Sequence, residues 1–180
     1  MKIFFTTNFI LIIVIKVISQ TISVPNDTIS KQPPQKVLFE NISFADSVIF
    51  YDPGALGDNT GEEPSKQYQN AQKALGKPDC ISDKDTGFVS LGNGGTIIIK
   101  FTDNILINGP GADLKVCEVG NDEPINIWVS SDNKIYLPLN KSADSNYTFD
   151  FGTQSLNEHF YTFVKIRDIY DFNPLPDTSD

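Results

Sequence analysis

One histidine, one tryptophan and two cysteines are all that this 180-residue chain has of those residues. With His159 alone, a histidine metal cluster is excluded, and a Ser-His-Asp triad would have to be built on that single residue. No GxSxG nucleophile elbow occurs, and His159 follows Asn157 and Glu158 in a polar stretch that reads as a surface loop. Glycine-rich phosphate loops are missing too, because Gly92, Gly94 and Gly95 precede a strand-like segment and not a helix. Two carboxylates could in principle hydrolyse a glycosidic bond. Among 23 acidic residues, however, such a pair arises by chance. The sequence shows no catalytic constellation, and the protein is expected not to be an enzyme.

Basic residues are also scarce, 14 against 23 acidic, for a net charge of −9. That balance disfavours nucleic acid and anionic lipid as partners, and it suits cations or simple solubility. The longest apolar run, Ile3 to Ile18, is interrupted by Lys16 and is short for a bilayer span. Behind Met1-Lys2, and with Val17-Ile18-Ser19 at cleavage spacing, it reads as a secretory signal peptide over residues 1–19. A secreted or cell-envelope location is therefore expected, with no membrane insertion after cleavage. Residues 20–36 are polar, carry Pro25 and Pro33-Pro34 and show no period, as a flexible linker does. The domain then occupies residues 37–180.

Helical periodicity is nearly absent. Only Asn70 to Leu75 is compatible with a helical turn, and Gly76 and Pro78 end it. Alternation is frequent instead. In VSLGNGGTIIIKFTDNILINGPGADLKVCEVG (Val89 to Gly120), two glycine breaks separate three strand candidates, with Ile97, Ile99 and Phe101 pointing to one side. Val37 to Phe44 and Ser47 to Tyr51 are expected as the first strands, with Phe39, Val48 and Phe50 in the core. Ile125 to Ser131 puts Trp128 opposite Ile127 and Val129, and Ser131 to Lys134 is a hairpin turn with Asn133 in the left-handed position. Ile135 to Leu139, Tyr147 to Phe151 and Phe160 to Asp168 complete the set. About eight strands and one short helical turn predict an all-β, antiparallel, jelly-roll-like sandwich.

Calcium is the cofactor that the acidic loop suggests, since hard oxygen ligands come from loop carboxylates and carbonyls. Asp52 to Ser65 offers Asp52, Asp58 and Asn59, and Glu118, a carboxylate in an apolar strand, could join them. A solvated acidic loop with no ion explains the same residues. Cys80 and Cys117 form either a disulfide in an oxidising compartment or, at Cys117, a buried thiol. Tyr68, Tyr136 and Tyr161 are the aromatics that could stack on a sugar ring, against the commoner fate of half-buried strand aromatics.

Long stretches of the chain resemble a bacterial secreted cell-surface module. The residues that carry the likeness are DSVIFYDPG (Asp46 to Gly54), Asn70 with ALGKPD (Ala74 to Asp79), VSLGNGGTIIIKF, NGPGADLKVCEVG and WVSSDNKIYLPL. Modules of this kind share the plan of discoidin and galactose-binding domains, and some are joined to an outer-membrane-protein-A-like peptidoglycan-binding domain. The chain departs from the pattern at Asn133, where a turn glycine is usual, and at Cys117, where an aromatic is usual. It also stops before the usual last strand. The resemblance implies a non-catalytic adhesion-type module recognising a glycan or a cell-surface protein. A structural domain of a larger envelope protein with no ligand of its own, and a carboxylate-based hydrolase, are the rival readings.

Overall fold

A computed structural model describes residues 9–14, 43–56, 61–77, 87–109, 111–120, 124–140, 148–153, 156 and 160–169. The chain is all-β, with every strand pairing antiparallel. Phe9–Val14 (β1), Ser47–Asp52 (β2), Thr96–Lys100 (β3), Leu106–Ile107 (β4) and Leu114–Gly120 (β5) come first. Ile125–Ser130 (β6), Leu137–Leu139 (β7), Thr148–Phe149 (β8), Phe160–Tyr161 (β9) and Phe163–Asp168 (β10) follow. They form a five-stranded sheet ordered β2-β3-β10-β6-β7, a three-stranded sheet β1-β5-β8, and the small pair β4-β9.

One apolar core joins the sheets. Ile97 and Ile99 of β3, Ile127 and Val129 of β6, and Val164 and Ile166 of β10 supply it from the larger sheet, all but sealed from solvent. Leu114, Val116 and Phe149 reach it from the three-stranded sheet, and Leu106 and Tyr161 from β4 and β9. Period-two alternation in TIIIK and FVKIRD therefore sets the packing, since each inward β-branched residue takes its neighbours on the outside out of the core. Ile97, Ile99, Phe101 and Val129 are inside, as the sequence predicts. Phe9–Val14, within the expected leader, pairs along β5 from Phe9 opposite Gly120 to Val14 opposite Lys115.

Several expectations need correction. Phe50 is not in the core but 48% exposed. A bulge between Val48 and Phe50 adds a residue to β2, so Val48 and Tyr51 face inward while Phe50 turns out. Ser43 and Phe44 are not strand, and the rest of Val37 to Phe44, including Phe39, lies outside the described residues. Val89 to Leu91 runs irregularly into the core. Asn70 to Leu75 yields one tight 3-10 turn, Ala71–Ala74, whose first free N–H groups include that of Gln72, taken by the Asn70 side chain at 3.1 Å. The hairpin turn is as expected, with Asn133 at φ 61°.

The glycines do more than turn. Pro53 to Ala55 lies backbone to backbone against Gly92 to Gly95: Gly92 N–H donates to Pro53 O and Asn93 N–H to Ala55 O, each at 2.7 Å. A Cβ on Gly54 would stand 2.5 Å from Gly92 O, and one on Gly95 2.7 Å from the same oxygen. Only glycine allows these two loops to meet.

Candidate binding face and its cleft

The five-stranded sheet presents its outward residues in rows set by the register. The central row runs Phe50, Ile98, Lys165, Trp128, Pro138 across all five strands. On one side lies Ser47, Lys100, Phe163 and then Ser130, which the β6–β7 turn buries, and on the other Asp52, Thr96, Arg167, Asn126. Proline at position 138 is compatible with this place because β7 is an edge strand.

Aromatic rings and cations alternate on this face. The Lys165 ammonium sits 4.5 Å from the Trp128 ring centre and 4.9 Å from that of Tyr136. The Lys100 ammonium lies 5.4 Å from the centre of Phe163. Such contacts hold flexible lysine side chains in place through the ring quadrupoles. Tyr136 is fixed in turn, its hydroxyl hydrogen-bonded to Asn133 Oδ1. Burial and the nearby Asp132 carboxylate both push the Tyr136 hydroxyl above the usual phenol range.

At the end of the sheet carrying Lys100 and Phe163, a cleft of about 580 Å3 opens between residues 102–105 and the β6–β7 turn. Lys100, Asp103, Asn104, Asp132, Thr162 and Phe163 line it. Its walls are built by side-chain caps. Asp46 accepts the Thr102 N–H at 2.9 Å and the Thr102 hydroxyl at 2.6 Å. Burial acts to raise the Asp46 pKa, but the bonds from Thr102 and Asp103 outweigh it and hold the carboxyl below its ordinary value. Across the cleft, Asp132 Oδ1 accepts the Lys134 and Ile135 N–H groups at 2.8 and 3.0 Å. Those two backbone bonds hold Asp132 ionised to lower pH than a free aspartate. The cleft thus combines fixed acceptors, an amide, three hydroxyls, an ammonium and two phenylalanine rings, a set suited to hydrogen-bonding a polyhydroxylated ligand.

Of the expected site residues, Asp52 and Glu118 stand in different sheets. Asp52 ends β2, where its Oδ1 accepts the Gly54 N–H at 3.1 Å and so closes the Pro53-Gly54 turn. Asp58 and Asn59 lie outside the described residues. Glu118 belongs to β5, which is in the three-stranded sheet and does not adjoin β2. Among the described residues, no three of His, Cys, Asp and Glu gather as a metal-binding group. Cys117 is half-buried in β5, and Cys80 and His159 lie outside the described residues. Of the three tyrosines, Tyr161 is in the core, edge-on to Phe151 at 5.7 Å, and Tyr68 stacks on buried Phe88 at 5.0 Å. Tyr136 alone joins the outer face.

Sequence reasoning missed this face for two reasons. The bulge that turns Phe50 outward has no local signature, and the cations of β3 and β10 come together only through pairing. One signal was available: Phe163, Lys165 and Arg167 alternate with core residues, so they had to share the outer side. No protein-family model, curated protein or solved structure matches the chain.

Proposed function

We propose that the chain is a secreted, non-catalytic cell-surface module that binds glycan on the outer face of its five-stranded sheet and in the adjoining cleft. The observation that carries this is the row of exposed and half-exposed rings and apolar groups, Phe50, Ile98, Trp128 and Pro138, leading to a cleft of hydrogen-bonding groups. Flat apolar rings stack on the C–H faces of sugars while acceptors and donors at the side take the hydroxyls. The leader-like N-terminus and the resemblance to bacterial surface modules of discoidin-like plan support export and the cell surface. Calcium belongs to the same proposal as a staple of the loop that begins at Asp52.

A glycan array tests it. Residues 20–180 should retain a defined set of glycans, and Trp128→Ala should lose most of that retention while still unfolding cooperatively. Retention of no glycan by the wild-type chain would contradict the reading and favour a structural domain without a ligand. Turnover of a retained glycan, lost on carboxylate substitution, would instead favour the hydrolase.

A further inference from the structure

We infer that the ligand of this face is an anionic glycan, a polymer bearing carboxylate or sulfate groups along its length. The inference rests on the glycan-binding reading above and names the class of glycan. In a chain of net charge −9, three cations stand together on one sheet face. Lys165 and Arg167 are two residues apart on β10, and Lys100 faces Phe163 from β3. Their Cα positions are therefore spaced by about 7 Å along the strands, with that of Lys100 about 5 Å to the side. None of the three is ion-paired among the described residues. The carboxylate within these rows, Asp52, lies two strands from Arg167 and is engaged by the Gly54 N–H.

A line of spaced cations fits charges repeated along a polymer better than one compact anion, which would need them convergent. The rings specify sugar: the Lys165 ammonium lies over Trp128 and Tyr136, so an acidic sugar that pairs with it takes its place on that aromatic surface. Asp103 and Asp132, which share the cleft with Lys100, repel the polymer at that end and direct it along Lys165 and Arg167, and salt should weaken the contact.

Gel retardation with chelator present tests this, using polygalacturonate against its methyl ester and dextran sulfate against dextran. Wild type should be retarded by at least one charged polymer, more than by its neutral partner, and less as salt rises. Lys165→Gln should weaken that retardation about fivefold, the upper end for one exposed charge contact. Lys165→Arg should keep most of it, and Arg167→Gln should add to the loss. Urea melts of each variant separate lost contacts from lost folding. The two uronate arms and the two sulfate arms show which acid is recognised. Equal retardation by charged and neutral polymers, or retention of neutral glycans only, would overturn the charge selection and leave glycan binding standing. Retardation that survives in Lys165→Gln/Arg167→Gln would move the site off this face. Failure of every polymer, together with a blank array, would remove both readings.

Discussion

Gly92 shows how one missing methyl group sets the meeting of two loops. Its Cβ would meet the Ala55 carbonyl and stand 3.0 Å from Pro53 O, and both obstacles are backbone held by short hydrogen bonds. Gly92→Ala should therefore cost about 3 kcal/mol in urea unfolding, as overpacking of a rigid site does. Gly94, with φ 71° and only the flexible Arg167 side chain near an added Cβ, at 3.9 Å, should accept Asn at about 1 kcal/mol. Equal losses for the two would contradict this division. Asp168, at the end of β10, is the other residue with a measurable signature. Burial lifts its pKa from 3.8 to about 6, against the lowering effect of the Gly94 and Ile169 N–H groups. Between those values the folded chain holds more protons than the unfolded one, so Asp168 makes stability fall as pH rises through that window. Asp168→Asn should abolish that part of the fall, leaving the difference in unfolding free energy between the two proteins to change between about pH 4 and 6. A difference flat across that range would show that the carboxyl is not raised.

At the scale of elements, the strands were legible wherever alternation was uninterrupted. Ile97, Ile99, Val164 and Ile166 declare their side by period two alone, and Asn133 declares the β6–β7 turn. Legibility ends at irregularities. The bulge in β2 reverses the facing of Phe50, a change that pairing with β3 fixes and no local residue announces. The outer face of the five-stranded sheet is illegible for the same reason, since its rows exist only through register, whereas the acidic loop is visible in sequence because its residues are contiguous. Of that loop, Asp52 is engaged in closing its own turn. The calcium proposal has its own test: chelator should lower the melting temperature of wild type but not of Asp58→Ala. The shift should correspond to about 2.7 kcal/mol when free calcium exceeds its dissociation constant a hundredfold. Identical melts with and without calcium would reduce the stretch to a solvated loop.

For the whole molecule, Phe9–Val14 contributes a strand along β5. If residues 1–19 are a cleaved leader, residues 20–180 should unfold in one cooperative step with an unchanged strand signature by circular dichroism. A truncated chain without cooperative unfolding would make β1 a part of the mature fold. Charge is also distributed at this scale, an acidic body carrying a face of rings and cations. Trp128, the single tryptophan of the chain, stands in the middle of that face and reports on it alone. The decisive measurement is its fluorescence during titration with oligomers of a polysaccharide that retards the protein. The account predicts a saturable change in Trp128 emission whose midpoint matches the retardation affinity and moves to higher concentration in Lys165→Gln. Binding that leaves Trp128 emission unchanged, with Trp128→Phe and Lys165→Gln retaining full affinity, would place the ligand elsewhere and contradict it.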